Sequence, residues 1–246
     1  MEVVLLLTGC IKPNVDDKIA VSNWKKRQDM YVEAISWYAV NTNYKIVFVE
    51  NSGTDVSDLI VKCKNVDIHT FTSIPDIPDR SRSYKEMQIM EYAFKHSPFL
   101  QSDNIMVVKI TGRLKLLNIN QLVNNLLKRS EKYNNRFVSS AKNARKPFSD
   151  CRFMYFTKDF WPILHAQKEN IWPTYGMEWV MGDAIREATK KGIKFVYPPY
   201  VELIEGIGMS SGASLRLEGK QLLKQKVKHA ILKTLFNWGI MPMDGK

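Results

Sequence analysis

The first half of the chain alternates strand-like and helix-like segments, and this alternation limits the possible folds more than any other feature. Residues 2–8 are almost continuously apolar, as in a strand that is buried on both faces. Residues 23–40 follow with apolar side chains at helical spacing, and Asn23 is a suitable N-cap. The strand-like run 45–50 then ends at a strong turn signal, 51–53. The pattern predicts an α/β fold with a mostly parallel central sheet flanked by helices.

The rest of the chain continues in the same way, apart from a loop with Pro75 and Pro78. We predict further helices at 55–62, 83–95, 118–129, 158–168 and 177–191, and further strands at 66–71, 104–111, 136–140, 152–157, 193–197 and 201–204. The 246 residues suffice for one domain with a full core. We therefore expect one domain at 1–215 and a C-terminal basic helix within 216–246. No run reaches the ~20 apolar residues that a membrane-spanning helix needs.

The positive charge of the chain is concentrated in two zones. The net charge is +11, and residues 128–150 and 216–246 each hold seven Lys or Arg side chains against two acidic ones. Such zones indicate anionic partners, which include nucleotide phosphates, lipid headgroups and nucleic acid. A solvated basic surface explains either zone equally well.

The three cysteines are far apart and form no Cys-x-x-Cys pair, which argues against a disulfide framework or a structural zinc site. We expect Cys10 and Cys63 to be buried thiols. A reducing cytoplasm suits this cysteine content best.

Ligands of parallel α/β sheets bind at the carboxyl ends of the strands, so the residues that follow each strand are candidates for a site. In the segment 109–113, Lys109 and Arg113 bracket Ile-Thr-Gly, and the glycine permits close approach of a ligand to the backbone. Both cations can then face one anion, such as a diphosphate. A strand end flanked by surface cations is an equally good interpretation.

Three carboxylates are candidates for a general base toward a hydroxyl. Glu178 and Asp183 follow an aromatic turn that contains Tyr175, and Glu86 lies on the helix predicted at 83–95. Glu178 is the first choice because it follows the aromatic turn, whose side chains can stack on a ring of a ligand. Acids near a helix N-terminus also favour the helix dipole, which by itself explains them.

Two features near the C-terminus allow two interpretations each. The glycine-serine segment 206–212 is either a lid over a ligand or a plain connector. The predicted helix from Leu217 to Trp238 either lies on a membrane surface or docks on the body of the protein. Its apolar stripe comprises Leu223, Val227, Ala230, Ile231, Leu235 and Trp238, whereas Leu222, Leu232 and Phe236 fall off the stripe.

Four segments in this order resemble those of the bacterial glycosyltransferases of capsule and O-antigen clusters, which have a GT-A-like fold. They are Leu-Thr-Gly-Cys-Ile at 7–11 with Arg27 and Tyr31 downstream, Phe-Val-Glu-Asn-Ser-Gly at 48–53, Arg-Ser-Tyr-Lys-Glu at 82–86, and Lys-Ile-Thr-Gly-Arg at 109–113. The resemblance covers roughly the first half of the chain. It implies transfer of a sugar from a nucleotide-sugar donor to a lipid-linked saccharide acceptor.

The resemblance also implies a site and a location. The residues expected to hold the nucleotide and its diphosphate are Thr8, Gly9, Arg27, Glu50, Asn51, Ser52, Arg82, Lys109, Thr111, Gly112 and Arg113. Those expected at the acceptor or in a lid are Tyr175, Gly208, Ser210 and Ser211. A UDP-sugar is the expected donor, with galactofuranosyl and hexopyranosyl transfer both open. Such enzymes are cytoplasmic and peripheral at the inner face of the cell membrane, so an anionic membrane surface is an expected partner.

The sequence departs from this family at one point. A typical GT-A enzyme carries Asp-x-Asp after its fourth strand to hold a divalent metal, and this chain contains no Asp-x-Asp. We expect Lys109 and Arg113 to supply that electrostatic role, so neither a metal nor another cofactor is predicted. We also predict an inverting transfer, with a retaining outcome still open.

The alternative is a non-catalytic basic protein that binds nucleic acid or an anionic membrane. Tyr133, Phe137 and Phe148 in the first basic zone are candidate stacking platforms for bases. However, Phe137 falls in a predicted strand, and the sequence shows no helix-turn-helix or zinc motif. We therefore expect no nucleic-acid partner.

Overall fold

The computed structural model describes residues 1–13, 19–60, 63–73, 79–141, 148–208 and 211–238. The predicted loop prolines Pro75 and Pro78 lie outside these residues. The strands are β1 (Glu2–Gly9), β2 (Lys45–Glu50), β3 (Val66–Thr70), β4 (Ile105–Thr111), β5 (Lys115–Leu116), β6 (Phe137–Ser139), β7 (Phe153–Thr157), β8 (Lys194–Val196) and β9 (Ile204–Glu205). The helices are α1 (Trp24–Asn41), α2 (Arg82–His96), α3 (Ile119–Ser130), α4 (Trp161–His165), α5 (Met177–Lys190) and α6 (Gly219–Asn237).

Within the described residues, seven strands form one sheet in the order β3-β2-β1-β4-β7-β6-β8. The pairs β1–β2, β2–β3, β1–β4 and β6–β8 are parallel, whereas β7 runs antiparallel to both β4 and β6. The short strands β5 and β9 pair antiparallel in a separate sheet. The predicted α/β fold with a mostly parallel central sheet is confirmed.

Helices cover both faces of the sheet, as the continuous apolar run in β1 predicts. Leu5 and Leu7 pack on the face that α1 and α3 cover, whereas Val4 and Leu6 pack on the face that α2 and α5 cover. All four side chains are fully buried. Because alternate side chains of a strand point to opposite faces, a strand between two layers must be apolar at nearly every position.

Helix α1 begins where the sequence predicts it. The Asn23 side chain accepts a hydrogen bond from the Lys26 backbone N–H at 3.0 Å, which satisfies one of the four free donors at a helix N-terminus. The N-cap prediction is therefore confirmed. This cap matters for the site because it sets the position of Arg27 and Tyr31 in the first two turns.

Several predicted elements differ from the structure. Residues 55–62 do not form the predicted α-helix in their described part: Asp55 accepts a hydrogen bond from the Ser57 N–H at 2.8 Å, and only a 3-10 turn follows at Ser57–Leu59. The helix predicted at 158–168 is divided into a 3-10 turn at Lys158–Phe160 and α4, because Pro162 has no N–H to continue the α-helical hydrogen bonds toward Lys158.

The strand predicted at 201–204 is also shifted, to the two residues of β9. Its partner β5 was not predicted, since two residues are too few to show a period. None of the three cysteines is in a disulfide, and Cys151 is buried, but Cys10 and Cys63 are partly exposed. The expectation that these two thiols are buried is therefore wrong.

Helix α6 confirms the predicted C-terminal helix and packs against the edge of the sheet. Phe236 stacks on Tyr197 with ring centroids 5.1 Å apart, and Lys233 Nζ donates to the Pro199 carbonyl at 2.8 Å. Among the helices in the described part of the chain, none combines the length and apolar character needed to cross a bilayer.

Candidate active site

The order in which the chain adds strands to the sheet reverses between β1 and β4. From β1 the chain continues to β2 and β3 on one side, whereas β4 lies on the other side of β1. The loops that follow β1 and β4 therefore diverge and leave a crevice at their carboxyl ends. A pocket of about 370 Å³ lies there. Its lining includes Thr8, Gly9, Cys10, Arg27, Tyr31, Asn51, Arg82, Ser83, Lys85, Glu86, Thr111, Arg113, Arg152, Glu178, Gly208 and Leu215.

Gly112 allows the ends of β1 and β4 to converge at the base of this pocket. Its N–H donates to the Thr8 carbonyl at 2.9 Å. A Cβ atom at residue 112 would lie 2.8 Å from the same oxygen, which is too close for any side chain. Gly112 thus shapes the pocket through its backbone and does not line it.

Arg113 is the best-placed cation for an anionic ligand. Its side chain lines the pocket although the residue is only 7% exposed. One terminal nitrogen donates to the Ile207 carbonyl, but Nε is buried and has no hydrogen-bond partner. Within the described residues, no ion pair joins Arg113 to a carboxylate. A buried guanidinium donor without a partner is costly, and a bound anion would satisfy it.

Other cations border the same pocket. Burial lowers the pKa of Arg113, and the positive charge of Arg27, which lines the same pocket, lowers it further. Arg27 donates through Nε to the Cys10 carbonyl at 3.0 Å and the Ile11 carbonyl at 3.2 Å, which holds the loop after β1. Arg82 is exposed at the start of α2, and Lys85 follows within the same first turn.

Lys109 does not join Arg113 at one anion, as the sequence had suggested. Its side chain is fully buried, and Nζ contacts Glu86 Oε1 at 2.5 Å and the Cys151 carbonyl at 2.6 Å. Lys109 and Val107 lie on the sheet face that α2 and α5 cover. After the turn at Gly112, Arg113 instead lines the pocket together with Arg27 and Tyr31 of α1. Lys109 is thus held by Glu86 and the Cys151 carbonyl and does not line the pocket, whereas Arg113 does.

Glu86 and Glu178 bring two carboxylates to the pocket. Glu86 accepts hydrogen bonds from Thr8 Oγ1 at 3.0 Å and from Lys109. Glu178 lies in the first turn of α5, and burial raises its pKa, with the nearby charges of Glu86 and Asp150 raising it further. A carboxylate whose pKa is raised toward neutrality is a better proton acceptor than an ordinary one.

A glycine brings Glu178 to the start of α2. A Cβ atom at Gly176 would lie 3.0 Å from Ser83 Oγ and 3.3 Å from Glu178 Oε2. The absence of a side chain at residue 176 therefore lets the N-termini of α2 and α5 approach each other. As a result, residues about one hundred positions apart in the chain face the same pocket.

Some predicted site residues have other places in the structure. Glu50 is fully buried and accepts hydrogen bonds from the backbone N–H groups of Ile11, Ser52 and Thr54. It therefore fixes the loops after β1 and β2. Ser52 donates through Oγ to the Glu50 carboxylate and also accepts from the Lys12 N–H. Neither side chain lines the pocket, whereas Asn51 between them does.

Of Asp183 and the residues predicted at the acceptor or in a lid, some line the pocket and others do not. Tyr175 donates its hydroxyl hydrogen bond to Asp183 Oδ2 at 2.6 Å, and Arg186 also contacts Asp183. This arrangement lies outside the pocket lining. Gly208 lines the pocket, Ser211 is exposed away from it, and Ser210 lies outside the described residues.

Sequence reasoning missed several lining residues, of which Arg152 is the most informative. It directly precedes β7 and pairs with Asp150. Because β7 runs antiparallel to β4, the amino end of β7 meets the carboxyl end of β4 at the pocket. A search restricted to residues after each strand cannot find such a residue. Lys85 was also missed, although it lies in the segment 82–86 that carries the resemblance.

The end of β4 does not offer ligands for a divalent metal. It carries Thr111, Gly112 and Arg113 in place of the paired aspartates of GT-A enzymes. In the part of the chain that the structure describes, no three His, Cys, Asp or Glu side chains are grouped as metal ligands. Carboxylate oxygens are the ligands that Mg²⁺ and Mn²⁺ prefer, and the end of β4 carries none.

A further acidic group, Glu202, is expected to make stability depend on pH. The Tyr155 hydroxyl donates to Glu202 Oε1 at 3.1 Å, and burial raises the pKa of Glu202 from 4.5 to about 8, with the charge of Asp150 acting in the same direction. Between these pH values the folded protein holds a proton that the unfolded chain has lost. The contribution of Glu202 to the free energy of unfolding therefore falls as pH rises from about 4.5 to about 8.

We expect Glu202→Gln to remove this loss, because the amide is neutral at every pH and still accepts from Tyr155. The variant should match the wild type near pH 4.5 and exceed its free energy of unfolding by ~2 kcal/mol above pH 8. This figure is less than the full pKa shift implies, since the carboxyl keeps some contact with water. Urea denaturation at a series of pH values measures the difference. Parallel stability curves for the two proteins would contradict the expectation.

Comparison with known proteins gives likenesses of fold. No protein-family model matches the sequence, and no curated protein matches it. Among solved structures, the chain is similar to a glycosyltransferase that glycosylates the major capsid of PBCV-1, with 9% identity, 94% of this chain and 100% of that chain covered, and a TM-score of 0.48.

Two further structures are similar to the chain. A protein from Desulfovibrio desulfuricans assigned as a nucleotide-diphospho-sugar transferase has 11% identity, 80% of each chain covered and a TM-score of 0.47. A cytidylyltransferase from Leptospira borgpetersenii has 15% identity, 97% of this chain and 87% of that chain covered, and a TM-score of 0.46. At these identities and scores the likenesses do not assign a function, which must be argued from the pocket.

Proposed function

We propose that this protein is a glycosyltransferase that moves a sugar from a nucleotide-sugar donor, a UDP-sugar first of all, to a hydroxyl of a lipid-linked glycan. The observation that carries the proposal is the pocket at the ends of β1 and β4, where Arg113 has an unsatisfied buried donor and Glu178 has a raised pKa. Galactofuranosyl and hexopyranosyl donors both suit this proposal. A role in bacterial capsule or O-antigen synthesis at the inner membrane face rests on the sequence resemblance alone.

The cations of the pocket suit a diphosphate. Arg113 and Arg82 supply charged donors, and the backbone N–H groups at the start of α2 add the positive end of a helix dipole. Arg82 and Lys85 in the first turn oppose that dipole, and a bound anion offsets the repulsion. Negative charge grows on the diphosphate as it leaves, so donors that are already in place stabilise the transition state. No step requires a metal in this scheme.

Glu178 is the proposed general base, with Glu86 in reserve. The acceptor oxygen forms a bond to the anomeric carbon while the bond from that carbon to the diphosphate breaks, and the hydroxyl proton moves to Glu178. The nucleoside diphosphate leaves with the bonding electrons. Attack from the side opposite the leaving group inverts the anomeric configuration. Glu86 is already held by Thr8 and Lys109, which leaves it less able to accept a proton.

The nucleic-acid alternative has little support in the first basic zone. Phe137 is fully buried in β6, Tyr133 packs against the core, and Phe148 contacts Trp179 edge to face with ring centroids 5.8 Å apart. Stacking on bases needs aromatic faces that are open to solvent. Residues 142–147 of this zone lie outside the described residues.

Nucleotide binding is the first test of the proposed function. We expect UDP or another nucleoside diphosphate to raise the melting temperature, because a ligand that binds the native state stabilises it by about 2.7 kcal/mol at a concentration of 100 times its Kd. EDTA should not abolish the shift, and added Mg²⁺ or Mn²⁺ should change it little. Loss of the shift in EDTA would contradict the metal-free scheme. Stabilisation by nucleoside triphosphates alone would overturn the proposal in favour of nucleotidyl transfer.

The Arg113→Lys variant makes the same test specific to the pocket. Lysine keeps the charge but lacks the planar fork that binds phosphate oxygens in pairs, so we expect affinity for the nucleoside diphosphate to fall about tenfold to a hundredfold. Arg136→Lys is the matched control, since Arg136 pairs with Asp159 and does not line the pocket. Equal nucleotide affinity in both variants would show that Arg113 does not bind the diphosphate.

A further inference from the structure

Helix α6 has two apolar faces that point in opposite directions. A helix turns by about 100° per residue, so Leu232 and Phe236 lie roughly opposite Leu223 and Val227. The first pair packs against the core, and the Phe236 ring lies 5.1 Å from Tyr197 and 5.6 Å from Phe195. One face of the helix can therefore dock on the body of the protein, while the other can lie on a membrane surface. Docking on the body uses the residues that fall off the predicted stripe.

The other face is open. Leu223, Val227, Ile231 and Trp238 form a stripe, and their exposed fractions are 64%, 54%, 56% and 73%. Burial of these side chains against any partner would be favourable by the hydrophobic effect. Large apolar side chains grouped in this way on a surface mark an interaction site. The described side chains that are large, apolar and exposed elsewhere are scattered, whereas these four share one side of one helix.

Positive charge surrounds the stripe. Helix α6 contains five lysines and no acidic residue, and Lys220, Lys224, Lys226 and Lys228 are exposed. The acid that precedes the helix, Glu218, pairs with Arg216 at 2.9 Å, so it does not neutralise the lysines.

The two basic zones of the sequence meet at this helix. Burial lowers the pKa of Lys233 most, and the positive charge of Arg129 lowers it further. Arg129 belongs to the first zone and Lys233 to the second. The basic surface therefore continues from α6 toward the end of α3.

This combination of apolar and basic side chains selects one kind of partner. A second copy of the chain would bring two lysine-rich faces together, and the repulsion would oppose pairing. A bilayer with anionic headgroups accepts both components, since lysine stems can extend along the apolar zone and place their charges at the phosphates. We infer that the Leu223–Trp238 face of α6 lies on an anionic membrane surface. The inference stands independently of the proposed catalytic function.

The inference has a structural consequence for the pocket. Leu215 lines the pocket, and the chain enters α6 at Gly219 shortly afterwards. A membrane under α6 would therefore hold the pocket near the lipid surface.

Sedimentation with lipid vesicles tests the inference. We expect the wild-type protein to sediment with equimolar phosphatidylglycerol and phosphatidylcholine vesicles, not with phosphatidylcholine alone, and to be released in part by added salt. The double variant Leu223→Ser with Ile231→Ser should bind the anionic vesicles at least about tenfold more weakly than the wild type. Lys220→Gln with Lys224→Gln should weaken binding by about 25-fold at low salt, since each lysine near the surface contributes about fivefold.

Controls separate this surface from net charge and from the pocket. Lys95→Gln with Lys191→Gln removes the same charge from exposed positions on α2 and directly after α5, and binding should stay close to that of the wild type. Circular dichroism and nucleotide stabilisation should be unchanged in the serine variant, because its substitutions lie on the open face. Anionic-vesicle binding that survives the serine substitutions, or a wild-type protein that stays in solution, would overturn the inference. If the wild type were a dimer and the serine variant a monomer, the face would be assigned to a second copy of the chain instead.

Discussion

The Glu178→Gln variant should lose sugar transfer by a factor of about 10² to 10⁴ while it keeps its affinity for the nucleotide, since removal of a general base has an effect of this size. The amide has the shape of the carboxylate but cannot take up the acceptor proton. The diphosphate contacts expected from Arg113 and the start of α2 are untouched. Turnover with saturating donor, together with nucleotide binding by thermal shift, measures both quantities.

Asp183→Asn is the matched control for this substitution. Asp183 lies on the same helix and also bears a carboxylate, but Tyr175 and Arg186 hold it outside the pocket lining. We expect its turnover to stay within about threefold of the wild type, because most surface substitutions away from such sites change free energies by less than ~0.5 kcal/mol. Near-normal turnover in Glu178→Gln would withdraw the base assignment. A loss of turnover in Asp183→Asn alone would assign the role of general base to Asp183.

The pH dependence of turnover gives an independent check on Glu178. Burial raises the pKa of this carboxyl above 4.5, and a general base acts only when it is deprotonated. Turnover should therefore be low at acidic pH and rise as pH passes through the raised pKa. The residual activity of Glu178→Gln should lack that rise. An unchanged profile in the variant would assign the titration to another group.

The Lys109→Met variant should be destabilised by about 3–5 kcal/mol, the usual effect of breaking a buried ion pair on one side. Methionine fills a similar volume, but the Glu86 carboxylate and the Cys151 carbonyl both lose the donor that now lies within 2.6 Å of them. The Lys109 side chain is fully buried, and the Glu86 side chain is 24% exposed. Water therefore cannot fully replace the lost contact. Urea denaturation at neutral pH measures the change.

Two further variants show whether the lost ion pair is the cause. Adding Glu86→Gln to Lys109→Met should restore part of the stability, because the neutral amide still accepts from Thr8 and no longer needs a cation. Lys115→Met should cost only about 1 kcal/mol, since its partners Glu33 and Glu205 are 68% and 37% exposed at the surface. If Lys109→Met were as stable as the wild type, or Glu86→Gln gave no recovery, the pair would not have the proposed structural role.

Long elements could be predicted from the sequence, whereas short ones could not. Strand β1 has so many consecutive apolar residues that only a position between two layers suits it, and Asn23 marks the start of α1 by a local hydrogen bond. By contrast, β5 and β9 have two residues each and exist because distant chain segments meet. The turn at Ser57–Leu59 depends on one side-chain contact from Asp55, which competes with the helix that the pattern predicts.

The location of the candidate site was also accessible from the sequence, but its cations were not all assigned correctly. The rule that ligands bind at the carboxyl ends of parallel strands pointed to Thr8, Thr111 and Arg113, which line one pocket. The same rule grouped Lys109 with Arg113. The turn that separates them depends on the contact between Gly112 and the Thr8 carbonyl, and no local pattern reveals that contact.

The sequence by itself determined the α/β class, the order of the long elements, the strand ends that form the site and the basic character of the last helix. These properties depend on periodicity and capping, which arise among neighbours in the chain. Only the tertiary structure decided that Arg152 and Glu178 face the pocket, that Lys109 pairs with Glu86, and that α6 docks through Phe236. Each of these depends on contacts between distant segments, whose geometry is set by strand direction, close glycine approaches and the packing of helices on the sheet.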